Sequence, residues 1–226
     1  MKKLVFISLF VCGLSVLYLT GCDDMYSIHQ EYLDRGEAVY TGVVDSVKAK
    51  AGYKRTWVQW FLNSDPRITK TVIFWNDNKD SLVVDISRSV NEPSAHETII
   101  PVAEGSYVFK FITRDNFGHR SVDATFSEIT VNVYGDTYVR NQINRTITSV
   151  APSKIVWGVI ETETMLYTTI TYTDTSGEEK VVKVENSDTE TAIAAQSGTI
   201  VTVVSTFQPK NGLDEVNGLP KTYEIK

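Results

Sequence analysis

The feature that most constrains the fold of this sequence is an internal repeat. Val58 and Trp60 recur 97 positions later as Ile155 and Trp157. The same offset relates a further set, in which Ile73, Trp75 and Asp77 recur as Ile170, Tyr172 and Asp174. Farther along the chain the offset falls to 93, where Ile100 and Gly105 recur as Ile193 and Gly198. Because a shared frame of this kind rarely arises by chance, the sequence predicts two copies of one domain of about 95 residues.

Each copy consists of short runs rich in β-branched and aromatic residues. In the first copy the runs are TWVQWFL, KTVIFW, SLVVDI, ETIIPV, SYVFKFIT and EITVNVY, separated by NSDP, NDNKD, SVNEPSAH, AEGS and RDNFGHRS. Strands spaced by turn residues are typical of antiparallel sandwiches, and the lack of long helical patterns argues against a parallel sheet. We therefore expect an all-β chain with two tandem antiparallel sandwiches over residues 38–135 and 136–226.

The N-terminus has the layout of a secretory signal peptide over residues 1–21. Lys2 and Lys3 precede an uncharged apolar run that is shorter than the ~20 residues a transmembrane helix needs. Residues 22–37 follow as a tether, in which Asp24 and Gly36 suit the two ends of a short helix over residues 25–35.

The apolar run ends in LTGC, which resembles the lipobox of bacterial lipoproteins with cleavage before Cys22. The resemblance implies a diacylglycerol on the Cys22 thiol and an acylated amine, which together anchor a chain stably on a membrane. Asp23 and Asp24 resemble a surface-export signal of Bacteroidota lipoproteins. The expected location is the outer membrane, on its periplasmic or its surface face, with the surface face favoured. Since Cys12 leaves with the signal peptide, the mature chain is expected to form no disulfide.

The charge of the chain narrows the choice of partners. The formal net charge is −6, and removal of Lys2 and Lys3 with the signal peptide makes it more negative. An acidic chain without a basic cluster lacks the side chains that displace counterions from nucleic acid. We therefore expect no nucleic-acid partner.

The sequence contains no recognisable catalytic motif. His29, His96 and His119 fall on the tether and in two predicted loops, without the spacing of metal ligands. No zinc-protease, nucleophile-elbow or phosphate-loop pattern occurs. The acidic segments NDNKD and DTSGEE lack the ligand alternation of a calcium loop, and their matched positions favour hairpin turns. The sequence therefore predicts a protein that is not an enzyme, with no catalytic residue, no metal site and no cofactor.

Two family resemblances agree with this organisation. VQWFL, VIFWND and GSYVFKFITRDNFGHRS resemble the B, C and F strands of a fibronectin type III domain, an immunoglobulin-like sandwich. IHQEYLDRGEAVYTGVVDSV, SDPRITKTVIFWNDNKDSL and YGDTYVRNQINRTI resemble a Bacteroidota lipoprotein family, the domain-of-unknown-function family 4998. The second resemblance implies tandem fibronectin-like sandwiches behind a lipid anchor, and it implies no established activity.

Strand alternation assigns the residues of the predicted second strand to two faces, because successive side chains point to opposite sides. Val58 and Trp60 keep apolar partners in the second copy and are predicted core residues. Trp57 and Phe61 are replaced there by Lys154 and Gly158 and are predicted to point outward. The full predicted core set is Val58, Trp60, Ile73, Trp75, Tyr107, Ile155, Trp157, Ile170 and Tyr172.

The outward side chains of the first copy are the candidate ligand or partner contacts. They are Trp57, Phe61 and Phe74, joined by His119 in the NFGHRS loop; Val72 is also expected to point outward. Three interpretations remain open: the tether helix or second domain covers these side chains, a protein partner binds them, or they stack on a sugar ring. The expected function is a non-catalytic, lipid-anchored envelope protein that binds glycan beside an outer-membrane uptake system. The alternative is a structural spacer or scaffold that binds an envelope protein.

Overall fold

The computed structural model describes residues 29, 30, 34, 37–87 and 92–226. The chain divides into a first unit, Met1–Tyr40, and a second unit, Thr41–Lys226. In the first unit Gln30 and Asp34 are helical, and Gln30 Nε2 donates to Asp34 Oδ1 at 3.2 Å. The predicted signal peptide and Cys22 lie outside the described residues. Within the described part of the chain, every helix is too short or too polar to cross a bilayer.

The second unit begins with a sandwich of two antiparallel sheets. Its strands are β1 (Val44–Gly52), β2 (Arg55–Leu62), β3 (Lys70–Trp75), β4 (Asp80–Asp85), β5 (Ser94–Pro101), β6 (Gly105–Arg114) and β7 (Glu128–Val133). One sheet has the order β1-β2-β5 and the other the order β4-β3-β6-β7. A short 3-10 turn, Thr125–Ser127, precedes β7.

A second sandwich follows the short helix α1 (Asp136–Arg140). Its strands are β8 (Ile147–Ala151), β9 (Lys154–Trp157), β10 (Met165–Thr173), β11 (Glu179–Glu185), β12 (Glu190–Ala192), β13 (Ile200–Phe207), β14 (Val216–Asn217) and β15 (Lys221–Glu224). The sheets have the orders β12-β9-β8 and β11-β10-β13, and β14 and β15 both pair with β13. The two sandwiches thus share one strand order, which confirms the predicted tandem fibronectin-like architecture.

Strand registers locate the repeat more accurately than the sequence does. Ile73 lies opposite Phe111 on β6, and Ile170 lies opposite Val203 on β13. Phe111 and Val203 therefore correspond to each other and are 92 positions apart. Gly105 and Gly198, at the start of the same strand in the two copies, are 93 positions apart. The second copy has therefore lost one further residue near the start of β13.

Each sandwich encloses its own apolar core. In the first, Val58, Trp60 and Ile73 are fully buried, while Trp75 and Tyr107 are partly buried and pack against that core. In the second, Ile155, Trp157, Ile170 and Tyr172 are buried together. A third cluster of Tyr134, Met165, Phe207 and Val216 lies where the sandwiches meet.

Two local expectations differ from the structure. Strand β1 was not foreseen, because its sequence VDSVKAKAG lacks a run of β-branched and aromatic residues. Strand β5 begins at Ser94, so His96 lies on a strand and not in a loop. It pairs directly opposite Trp60, whose indole ring stacks on the imidazole at 5.9 Å.

Candidate functional site

The outer face of the β1-β2-β5 sheet, here called the first outer face, carries Trp57 and Phe61. Both side chains are half-buried and belong to the central strand β2. Lys50 Nζ lies 5.8 Å from the centroid of the Trp57 ring, and Lys48 Nζ lies 5.8 Å from that of Phe61. The lysine stems therefore flank the rings, and the ammonium groups interact with the ring faces.

Polar groups separate the two aromatic side chains. Gln59 stands between them, and its Nε2 donates to Glu97 Oε2 at 3.5 Å. Trp57 and Phe61 are four positions apart on β2, which separates them by about 13 Å along the extended strand. Ile99, on the neighbouring strand opposite Trp57, is half-exposed. The face is thus a shallow platform of aromatic rings with amide and carboxylate groups between them, which suits stacking and hydrogen bonding to an extended ligand.

Phe74 lies on a different surface, the outer face of the β4-β3-β6-β7 sheet. The two sheets form opposite sides of one sandwich, so Phe74 does not join Trp57 and Phe61 in one site. Val72 lies on the same face as Phe74, but it is only 6% exposed. Its cross-strand neighbours Val83 and Ile112 flank it on both sides.

His119 belongs to the connection between β6 and β7, residues 115–127, here called the Phe117 loop. Asp115 Oδ1 accepts hydrogen bonds from the backbone N–H groups of Phe117 and His119 at 2.8 and 2.9 Å. Asp115 Oδ2 lies 2.6 Å from His119 Nδ1. Desolvation alone would raise the pKa of Asp115, but these hydrogen bonds lower it. His119 therefore fastens a turn, and this turn leaves the neighbouring Phe117 side chain 86% exposed.

The two acidic segments form hairpin turns, as predicted. The first connects β3 to β4, with Asn76, Asp77 and Asn78 in the left-handed region that these residue types tolerate. In the second, the Ser176 hydroxyl and nearby backbone N–H groups lower the pKa of Asp174 to about 2. No group of three or more potential metal ligands occurs among the residues that the structure describes.

The contact between the sandwiches, here called the joint, is formed by residues that no sequence pattern indicated. Tyr134 Oη donates to the carbonyl of Asp214 at 2.7 Å and accepts from its N–H at 2.8 Å. The Asp214 carboxylate accepts from the backbone N–H of Tyr53 at 2.8 Å and forms an ion pair with Arg55. The hydrogen bonds from Arg55 lower the pKa of Asp214.

Helix α1 strengthens the joint from the linker side. The Glu104 carboxylate accepts from the backbone N–H groups of Thr137 and Tyr138 at 2.8 and 3.0 Å, which satisfies the first turn of the helix. Lys54 adds an ion pair to Asp136 at 2.8 Å. Grooves of about 570 and 600 Å³ border this joint. No sequence period links these residues, so only the folded chain brings them together.

The chain is similar to one protein family and to several solved structures. The profile of DUF4998, a domain of unknown function, matches residues 22–216. A two-domain fibronectin type III segment of chicken tenascin is 12% identical, with 81% of this chain and 98% of that chain covered at a TM-score of 0.33. Fibronectin(III)-like modules of Clostridium thermocellum CbhA are 16% identical, with 81% and 92% covered at a TM-score of 0.36.

The first three fibronectin domains of chicken CNTN1 give 14% identity, with 84% of this chain and 68% of that chain covered at a TM-score of 0.36. No curated protein matches the chain. The assignment of the fold rests on the strand order of the two sandwiches and not on these scores.

Proposed function

The chain belongs to the DUF4998 family, and we propose that it is a non-catalytic binding module, held on the outer membrane by lipid at Cys22. The fibronectin-like fold commonly serves as a binding or scaffold module, and function on such folds lies in individual surfaces. The proposed position is the surface side of the membrane, beside an uptake system. The LTGC sequence and the acidic residues after it support this location.

The first outer face is the proposed binding surface, and its ligand is a glycan. The observation that carries this proposal is the pair Trp57 and Phe61 on an open sheet face, with Gln59 and Glu97 between and beside them. Ring faces stack on the apolar side of a pyranose, while amide and carboxylate groups bond its hydroxyls. The second sandwich has Lys154 and Gly158 at the equivalent positions and lacks such a platform.

A glycan panel probed with the mature chain in detergent tests this proposal. Trp57→Ala should weaken binding roughly tenfold, because it removes one stacking partner. Lys154→Ala changes the equivalent position of the second sandwich and should leave affinity unchanged. Equal affinity of both variants and the parent would exclude the first outer face as the binding site.

The alternative function is a scaffold that binds an envelope protein. The joint favours it, because Tyr134, Asp214 and Arg55 fix one sandwich against the other. Such a spacer would show no glycan affinity, and its partner would be recovered after cross-linking in intact cells. Hydrolysis of any panel glycan by the purified chain would contradict both functions and indicate an enzyme.

A further inference from the structure

We propose that the Phe117 loop docks on the lipid surface to which the chain is anchored. This inference rests on the proposed lipid anchor at Cys22 and is independent of the glycan proposal. It makes the first sandwich the membrane-facing one and places the second sandwich farther out.

Phe117 is presented to a partner outside the described fold. Its side chain is 86% exposed, although the hydrogen bonds to Asp115 hold the backbone on both sides of it. Val122 and Phe126 on the same loop are also about half-exposed, at 47% and 57%. Exposed apolar side chains on a fixed loop lose little conformational freedom when they are buried by a partner. Phenylalanine in particular inserts readily between headgroups and acyl chains.

The charges around the loop suit a lipid surface. Three of the carboxylates on or beside it lie within 3.0 Å of a basic side chain: Asp65 with Arg67, Asp115 with His119 and Asp123 with Lys110. Arg120 also pairs with Asp123. Bacterial phospholipid surfaces are commonly anionic and repel unpaired carboxylates. Pairing at this end of the sandwich reduces that repulsion in a chain whose net charge is −6.

The second unit begins at this end of the first sandwich. Thr41 Oγ1 lies 2.7 Å from Thr113 Oγ1, and the Thr113 hydroxyl donates to the carbonyl of Gly42 at 2.6 Å. The first residues of the second unit therefore lie at the end of β6 where the Phe117 loop begins. Cys22 precedes Thr41 by 19 residues, which span at most about 65 Å when extended. A tether of this length keeps the local concentration of lipid high at the loop.

In the second sandwich, the connection that corresponds to the Phe117 loop is docked on a protein surface. There the corresponding connection, residues 208–215, lies against the first sandwich and is fastened by Asp214. In the first sandwich the same connection meets no other sandwich, and Phe117 remains open. The lipid surface supplied by the proposed anchor is the partner that we assign to it.

The test uses the lipidated mature chain in vesicles of phosphatidylethanolamine and phosphatidylglycerol. Val122→Cys places a single reactive thiol on the loop, because Cys22 is blocked by lipid and Cys12 is removed. The thiol carries an environment-sensitive fluorophore, and nitroxide-labelled lipid serves as the quencher. The control is Thr175→Cys, in an exposed turn beyond the end of β10 that is farther from the joint.

We expect the label at position 122 to be quenched severalfold more than the label at position 175, with its emission shifted to shorter wavelength. Phe117→Ser in the Val122→Cys chain should abolish most of this difference, since the turn itself is held by Asp115. Unchanged quenching in that double variant would overturn the role of Phe117.

Three other results would overturn the proposal in distinguishable ways. Equal quenching at both positions, in chains that float with the vesicles, would exclude lipid docking and leave the anchor intact. A shift that occurs only after outer-membrane proteins are added would show that the loop binds protein, which also excludes lipid docking. Chains that fail to float and carry an unmodified Cys22 by mass spectrometry would overturn the anchor and the docking together.

Discussion

The two sandwiches use the same connection between strands in opposite ways. In the second sandwich, residues 208–215 lie against the first sandwich, and Asp214 bonds to Tyr53, Arg55 and Tyr134. In the first sandwich the Phe117 loop is held by its own Asp115 and leaves Phe117 86% exposed. Two copies of one domain therefore keep the residues that fill a core and change the residues that meet a neighbour.

The cores differ in how each central tryptophan is satisfied. Trp60 Nε1 donates to the hydroxyl of Thr71 at 3.1 Å, whereas Trp157 Nε1 donates to that of Thr191 at 2.8 Å. These threonines belong to different sheets, β3 and β12. The repeat thus preserves the tryptophan ring at each position, while the hydrogen-bond acceptor of the indole nitrogen comes from a different strand in each copy.

The largest effect on stability is expected from removal of the Trp60 side chain. Trp60→Ala should lower the free energy of unfolding by about 3–5 kcal/mol, because it empties the centre of a closed core. Trp57→Ala, three residues earlier on the other face, should cost less than about 1 kcal/mol. Urea unfolding of both variants measures the difference. Equal losses would show that the two faces of β2 are not distinct.

The second prediction concerns Arg145, a buried cation of the second sandwich that has no buried counterpart among the described residues of the first. Arg145 is 5% exposed and donates to the carbonyls of Gly158, Glu185 and Asp188 at 3.2, 3.1 and 2.6 Å. Its guanidinium also lies 5.4 Å from the centroid of the Trp157 ring, and burial lowers its pKa.

Arg145→Met should therefore lower the free energy of unfolding by about 3 kcal/mol, since three carbonyls each lose a charged donor. Arg145→Lys should recover only part of this stability, because one ammonium cannot reach three separated acceptors. The half-exposed Arg120 of the first sandwich provides the control, and Arg120→Met should change stability little. Urea unfolding checks all three variants, and full recovery in Arg145→Lys would contradict the forked arrangement.

Much of the fold could be predicted from sequence because the repeat supplies a second copy of each pattern. Apolar character kept at Val58 and Trp60, and lost at Trp57 and Phe61, separated the two faces of β2. Strand β1 gave no such signal, because one of its faces is exposed and lysine-rich. Its identity as a strand comes from pairing with β2, which sequence periodicity does not encode.

The candidate site was less predictable than the fold, because sites depend on contacts between distant residues. Tyr134 and Asp214 are 80 residues apart and meet only when both sandwiches have formed. Val72 has an outward position on β3, but Val83 and Ile112 bury it from the adjacent strands. Alternation along one strand gives the direction of a side chain, and its exposure depends on the neighbouring strands.

The third prediction concerns two equivalent turns, in each of which a side-chain oxygen accepts a hydrogen bond from a backbone N–H two residues later. The oxygen belongs to a carboxylate in one turn and to a hydroxyl in the other. Asp65 Oδ1 accepts from the backbone N–H of Arg67 at 3.0 Å, and the equivalent Thr162 hydroxyl accepts from that of Thr164 at 3.2 Å. Hydrogen bonds from Arg67 hold the pKa of Asp65 at about 2, compared with the usual 3.8, against an opposing effect of desolvation. The ionised form is thus favoured in the folded state, and its stabilisation is present above pH 4 and lost as the pH falls toward 2.

Asp65→Asn should therefore cost about 2 kcal/mol at pH 6 and almost nothing at pH 2. Thr162→Ala should cost the same at both pH values, because a hydroxyl does not titrate in this range. Urea unfolding at a series of pH values measures both costs. A pH-independent cost for Asp65→Asn would show that its carboxylate is not stabilised by the fold.

The smallest effect is expected from changes in the two equivalent connections, residues 208–215, which are docked on the first sandwich, and the Phe117 loop, which is free. Asp214→Ala removes the acceptor of the Tyr53 N–H and the partner of Arg55, and should cost about 1–2 kcal/mol. Small-angle scattering should show a broader distribution of distances between the sandwiches, and hydrogen exchange at Tyr53 should accelerate. Asp115→Ala should instead accelerate exchange only at Phe117 and His119 and leave the scattering unchanged, since its hydrogen bonds stay within one loop. A change in scattering for Asp115→Ala would mean that the Phe117 loop also influences the joint, and the contrast between a docked and a free connection would no longer hold.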